Sequence, residues 1–296
     1  MDKLILQWGI QPGIIKRIYP SAWEVRDTYI LKEYDDLYEL ERNLQVARLL
    51  GENGIPVPEV ICLKDGKDYL AENGKYYVLT GKLPGQHLTA GQLVGEMAVG
   101  MGEILGDLHL AFQKCENTPN LWENSLLAEL KNWVRQALEK EGWNLVKQAE
   151  FQKMVSRLES VYDELPRQLI HRDVHFGNFL LANGKLSGYI DFDLSQKNIR
   201  IFDICYFLLG ILAERECDGI AEEEWFEILR NVIAGYERRI PLRDAEKNAV
   251  PDVMAGIEIL FAAYFAQQGE EHSARHAAEI FQYIVGSRAR IDASIP

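Results

Sequence analysis

Cysteine is scarce in this chain: Cys62, Cys115, Cys205 and Cys217 are the only four among 296 residues, far apart and without a C-x-x-C pair. They are too few to staple a chain of this length, and they read as buried thiols in a reducing compartment. Positive charge is also in deficit, with 32 Lys and Arg against 45 Asp and Glu, a formal net charge of −13. A field of that sign repels phosphate backbones and anionic lipid, so nucleic acid and membrane surface are not expected as partners. Long apolar runs are missing as well. The N-terminal MDKLILQWGIQPG is too short in its apolar part for a signal peptide, and the stretches near 204–213 and 257–266 are too short to span a bilayer. The expectation is a cytoplasmic protein; nothing in the composition speaks to its oligomeric state.

What is present is ordinary globular composition, 47% hydrophobic and 26% charged, enough for one large domain or two ordinary ones. Most of the acidic excess falls beyond residue 84, which suits either a cationic ligand or simple solubility. The first part alternates as strands do: IIKRIY at 14–19, WEVR at 23–26 and TYILK at 28–32 suggest an antiparallel meander. From Asp35 the spacing turns helical, with Leu37, Leu40, Leu44, Ala47 and Leu50 on one face and a stop at Gly51 to Gly54. VICL at 60–63 and YYVLT at 76–80 read as two more strands, with a turn at Asp65-Gly66 or Asn73-Gly74.

Leu83-Pro84-Gly85 breaks the pattern and is expected to mark a hinge between an N-terminal lobe, residues 1–83, and a larger one, residues 84–296. Helical periodicity then covers Leu93 to Phe112, Leu126 to Lys140 and Phe151 to Leu165. The block LIHRDVHFGNFLLANGKLSGYIDFD, beginning at Leu169, reads instead as a loop and a hairpin turning at Asn183-Gly184. From Ile201 helices return, with interruptions expected near Gly219, Pro241 and Pro251.

That block and the residues just after it concentrate chemistry. His171, Asp173, Asn178, Asp191 and Asp203 lie within 33 residues. Singly, each is more often a turn, cap or core residue. Together, their spacing supplies what phosphoryl transfer to a hydroxyl needs: one carboxylate to orient the attacking hydroxyl, and a carboxylate with an amide oxygen to hold Mg²⁺ against the phosphates. Asp173, Asp191 and Asn178 fit those tasks.

HRDVHFGN at 171–178 and YIDFDLSQKNIRIFDICYFL at 189–208 resemble the aminoglycoside phosphotransferase and choline kinase superfamily, small-molecule relatives of protein kinases. The resemblance implies an α+β, two-lobed kinase-like fold, with a small antiparallel sheet and one main helix in the N-lobe and a mainly helical C-lobe. It implies ATP and Mg²⁺ between the lobes and a small-molecule hydroxyl as acceptor: an aminoglycoside, choline or another amino alcohol, homoserine or a sugar. It implies Asp173 as the catalytic carboxylate, Asn178 and Asp191 on the metal, and His171 and Asp203 as structural support.

It further implies Lys32 on the nucleotide phosphates, paired with a helix glutamate, here assigned to Glu41 although Asn43 falls at the expected position. Ser21 lies at a turn that has no glycine, and the linker through Thr80 and Lys82 is expected to face the adenine. Asp193 stands where protein kinases have glycine, and its function is left open. Three other readings compete. A protein kinase lacks room between Asp191 and Asp203 for an activation segment. A metal-hydrolase reading of His171, Asp173 and His175, with the two histidines four apart as on a zinc-binding helix, lacks a third ligand motif. A catalytically silent kinase-like module would be expected to have lost part of the set Lys32, Asp173, Asn178 and Asp191.

Overall fold

The computed structural model describes residues 1–11, 13–115, 121–215 and 219–296. A short helix α1 (Asp2–Ile5) precedes the meander β1 (Ile15–Tyr19), β2 (Ala22–Val25) and β3 (Tyr29–Tyr34), and then α2 (Leu37–Glu52), β4 (Tyr69–Glu72), β5 (Lys75–Gly81) and β6 (Gln86–His87). Helices follow: α3 (Glu96–Lys114), α4 (Leu126–Glu129), which runs through a π turn at Leu130–Val134 into α5 (Arg135–Lys140), and α6 (Gln148–Val161). Next come β7 (Arg167–Ile170), β8 (Phe179–Ala182), β9 (Lys185–Tyr189) and β10 (Gln196–Ile199). The chain ends in α7 (Ile201–Glu214), α8 (Glu222–Glu237), α9 (Asp244–Gln268), α10 (Glu271–Gly286) and α11 (Arg288–Ser294). The architecture is α+β.

Two compact units result: Met1–His87 with Gly177–Asp193, and Leu88–Phe176 with Leu194–Pro296. In the first, five antiparallel strands run in the order β1-β2-β3-β5-β4. One face of the sheet packs Val25, Leu31 and Leu79 on Ile5 and Trp8; the other packs Tyr34 and Val78 on Leu40 and Leu44 of α2. α2 starts where Asp36 accepts the Glu39 N–H at 3.1 Å, an N-cap. The β4–β5 turn has Asn73 at φ 52° and Gly74 at φ 76°, and the β8–β9 turn has Asn183 at φ 53° and Gly184 at φ 71°, the two positive values that a two-residue hairpin turn requires.

The expected strand at 60–63 does not form. Val60 makes a single bridge to Thr80, and the place beside β5 goes to Tyr69–Glu72, whose register the tight Asn73-Gly74 turn sets. Gly85, at φ 118°, brings the chain so close to the hairpin that a side chain there would meet Ser187 Oγ at 2.3 Å and Leu181 O at 2.8 Å. β6 then pairs with β8, making the three-stranded sheet β6-β8-β9 of the first unit.

In the second unit α9 packs against α10, α6 and α7, and α3 packs against α8. The break expected at Pro251 is absent. α9 runs through it because the missing backbone donor is only one bond, and residues Ala249 to Leu260 are all buried. The apolar stretch at 257–266 therefore belongs to a 25-residue helix, long and apolar enough by itself to cross a membrane, whose most apolar window is 78% buried inside this fold. Of the cysteines, Cys115 and Cys205 are buried free thiols, whereas Cys62, within the segment that does not form a strand, is exposed; Cys217 lies outside the described residues.

Candidate active site

Residues two apart on a strand share a face, so Lys32 and Tyr34 on β3 both lie on the side that α2 covers. Lys32 Nζ donates to Asp191 Oδ1 at 2.8 Å and to Asp193 Oδ2 at 2.5 Å. Asp193 also accepts from Tyr34 Oη at 3.1 Å and from the Asn43 amide, and its backbone carbonyl accepts from the Arg42 guanidinium. Burial opposes the Lys32 charge, yet Tyr34 and the carboxylates of Asp193 and Asp191 outweigh it and hold the lysine pKa well above its usual value. Burial likewise pushes the Tyr34 hydroxyl up, with Asp193 adding to the effect.

The glutamate pairing expected for Lys32 is not what the structure has. Glu41 is exposed and accepts at 3.5 Å from Tyr69 Oη, because it stands about 200° around the helix from Asn43. Lys32 turns to Asp191 and Asp193 instead, and α2 reaches this cluster through Asp193, with Asn43 on its carboxylate and Arg42 on its backbone carbonyl. Asp191 sits at φ 68°, and the Ile190 N–H donates to the Asn178 carbonyl at 3.1 Å, which brings residue 191 alongside residue 178. Asn178 is buried.

The remaining nucleotide-side candidates are already engaged. The Ser21 carbonyl accepts from Glu33 N–H at 2.8 Å, the Thr80 hydroxyl donates to Ile30 O at 3.4 Å, and exposed Lys82 pairs with Glu24 at 2.7 Å. The Gly81 and Lys82 N–H groups bond Glu59 O and Thr28 O at 2.9 and 2.8 Å.

In the second unit the loop after β7 is tied to the start of α7. Fully buried Asp203 accepts from the His171 and Arg172 backbone N–H groups at 2.9 and 2.8 Å, and its Oδ2 lies 3.1 Å from His109 Nε2. His109 in turn contacts Tyr236 Oη at 2.8 Å. Arg172, at φ 70°, anchors its guanidinium on Glu129 at 2.9 Å and on Gln196 at 3.1 Å.

Asp173 follows directly. Its N–H donates to His171 Nδ1 at 3.2 Å, one carboxylate oxygen accepts from Tyr206 Oη at 2.8 Å, and the other lies 3.5 Å from His175 Nε2. Burial works against the Asp173 charge, but His175, Tyr206 and His171 together lower its pKa to about 2. Asp173 therefore stands as an aimed carboxylate, ionised at neutral pH. Sequence reasoning missed Tyr206, although its position three residues after Asp203 in a helix puts both on one face. Among the described residues no three His, Cys, Asp or Glu side chains are grouped to hold a metal ion, and His175 is turned to Asp173, which leaves the zinc reading without a ligand set.

A sequence profile of the phosphotransferase enzyme family matches residues 15–245. The chain belongs to this family. It is 27% identical over 261 residues to the homoserine kinase of Gluconobacter oxydans (strain 621H), covering 84% of this chain and 79% of the relative. To the homoserine kinase of Zymomonas mobilis subsp. mobilis it is 26% identical over 263 residues, covering 86% and 78%. Among solved structures, amicoumacin kinase hAmiN in complex with AMP-PNP, Ca²⁺ and Ami superposes with a TM-score of 0.72 at 19% identity, over 99% of this chain and 92% of that one, a likeness of fold. Family and relatives make this phosphotransferase an ATP-dependent kinase of a small-molecule hydroxyl, and they favour catalysis over the silent-module reading.

Proposed function

We propose that this phosphotransferase moves the γ-phosphoryl group of ATP, with Mg²⁺, to the hydroxyl of homoserine or of a comparably small hydroxylated metabolite. The observation that carries the reading is Asp173, an ionised carboxylate with one oxygen fixed by Tyr206. In this reading Asp173 orients the acceptor hydroxyl and takes its proton as the new O–P bond forms; the bond from γ-phosphorus to the bridging oxygen breaks and ADP leaves. Lys32, kept charged, meets the nucleotide phosphates. Asn178 and Asp191, neighbouring hard oxygen donors, suit a divalent ion, which when bound supplies charge neutralisation on the phosphates. His171 and Asp203 keep the loop of Asp173 in place. The relatives' shared activity supports homoserine, and free buried thiols together with a supply of ATP suit a cytoplasmic setting.

The test is ADP formation with Mg²⁺ across a panel of hydroxylated metabolites, L-homoserine and aminoglycosides included, run beside Asp173→Ala. Turnover with one acceptor, lost in the variant, is the expected result. Full turnover by Asp173→Ala would overturn the mechanism, and turnover with aminoglycosides but not with homoserine would overturn the acceptor.

A further inference from the structure

Arg172 and Glu129 form an ion pair in the second unit to which the proposed transfer chemistry gives no part. One guanidinium nitrogen of Arg172 lies 2.9 and 3.0 Å from the two carboxylate oxygens of Glu129, and a second donates to Gln196 Oε1 at 3.1 Å. The two charged side chains are only 17% and 13% exposed, and the guanidinium sits over the Phe202 ring at 5.9 Å. An exposed ion pair contributes little, but one held on two sides, largely out of water and against a ring, fixes geometry. Gln196 shows how firmly the pair orders its surroundings. Its carbonyl oxygen goes to Arg172 while its buried Nε2 has no hydrogen-bond partner among the described residues, although a buried donor left unpaired is destabilising.

The clamp closes on a residue whose backbone needs one. Arg172 has φ 70°, in the left-handed region that a residue with a Cβ disfavours. Its N–H is held by Asp203 at 2.8 Å, and its side chain is held by Glu129 and Gln196. Asp173 is the next residue, so the direction in which its carboxylate leaves the chain follows from the torsions at Arg172. Asp203 and Tyr206 hold other atoms of this loop, but neither accepts from the Arg172 guanidinium. Glu129 is itself well placed to act as an anchor. It ends α4, whose first turn is capped by Ser125 Oγ accepting from the Ala128 N–H at 3.2 Å, and the chain passes at once into the π turn Leu130–Val134. Such turns are rare inside helices and are frequent at functional sites.

We propose that Glu129 is a positioning residue for the transfer step: through Arg172 it holds the left-handed turn that aims the Asp173 carboxylate, so that α4 sets the geometry of a loop 43 residues further along the chain. The role rests on the phosphotransfer reading above, in which Asp173 meets the acceptor hydroxyl.

Steady-state kinetics and hydrogen exchange on the full chain test it. Glu129→Ala should lower kcat roughly 10- to 100-fold, the loss that follows when the reacting group is misaimed, and leave the KM for ATP within about twofold. Glycine at 172 separates aiming from folding, because it takes a φ of 70° without strain. The pair Arg172→Gly with Glu129→Gln is compared with the pair Arg172→Ala with Glu129→Gln. Neither leaves a charge unpaired, and they differ only in the Cβ at 172, so the glycine pair should have the higher kcat. An unchanged kcat in Glu129→Ala, a glycine pair no faster than the alanine pair, or an equal loss of kcat and of ATP affinity overturns the proposal. Hydrogen exchange requires no turnover and so distinguishes this role from the reading it rests on. Exchange of the amides at 171–175 should quicken in Glu129→Ala, with that of β8 and β9 unchanged. If the wild type transferred phosphate to no acceptor while that loop alone loosened, the phosphotransfer reading would fail and the clamp would stand. If Asp173→Ala abolished turnover while Glu129→Ala changed neither kcat nor exchange, the clamp would fail and the reading would stand.

Discussion

Tyr206 Oη donates to Asp173 Oδ1 at 2.8 Å, so the carboxylate proposed to meet the acceptor is positioned by a helix rather than by its own loop alone. Tyr206→Phe keeps the ring and deletes that one bond. A hydrogen bond to an ionised acceptor contributes about 1.5–3 kcal/mol, so transfer should slow roughly 10- to 100-fold. ATP affinity should stay as it is. Single-turnover kinetics at saturating acceptor measure this directly, and an unchanged rate would mean that Asp173 holds its aim without Tyr206.

Asp203 receives two backbone donors on the loop that carries Asp173. Asp203→Ala strands the His171 and Arg172 N–H groups in a buried setting, at a cost of about 1–3 kcal/mol for each group left unpaired. The urea midpoint should fall sharply and activity with it. Asp203→Asn, which can still accept one of the two bonds, should lie between that variant and the wild type.

The two acidic candidates near Lys32 should separate cleanly. Glu41 is exposed and its one contact is long, so Glu41→Ala should shift stability by no more than about 0.5 kcal/mol and leave the KM for ATP unchanged. Asp191→Ala should weaken nucleotide binding measured with Mg²⁺ far more than binding measured in EDTA. If Glu41→Ala raised the KM for ATP as much as Lys32→Met does, the assignment of Asp193 and Asn43 in place of the glutamate would be wrong.

Asp173 also makes a pH prediction. Its folded pKa, about 2, is below the model-compound value of 3.8, so the folded state binds this proton less readily than the unfolded chain. The stabilisation, about 2 kcal/mol from that difference, is present above pH ~4 and is lost as the pH falls toward the folded value. Asp173→Asn should therefore lose less stability than the wild type between pH 4 and pH 2. Parallel acid-unfolding curves for the two proteins would contradict it.

Local signals were legible wherever a short motif determines geometry. The meander, the helix after Asp35 and the turns at Asn73-Gly74 and Asn183-Gly184 all follow from residue types at fixed offsets, and each is seen. The strand expected at Val60–Leu63 failed because edge pairing is decided by which segment the hairpin delivers to β5, not by β propensity. Pro251 misled for a related reason: burial along α9 overrides one lost donor. In the site, the motif residues could be located by spacing, but their partners could not. Asn43 rather than Glu41 depends on the rotation of α2 over the sheet, and Tyr206 comes to Asp173 from helix α7 through the packing of that helix on the loop, which its spacing from Asp203 only hints at.

The hairpin of β8 and β9 has one more consequence, which concerns the order in which the protein can be made. Gly177–Asp193 completes the first unit, yet the whole of Leu88–Phe176 lies between it and the rest of that unit. A chain emerging from the ribosome cannot finish its N-terminal unit until Asp193 is out, and a fragment ending at His87 would leave β6 without β8 to pair with. Synthesis therefore ties the two units together: the first must wait, open along one edge, while half of the second is already in solution.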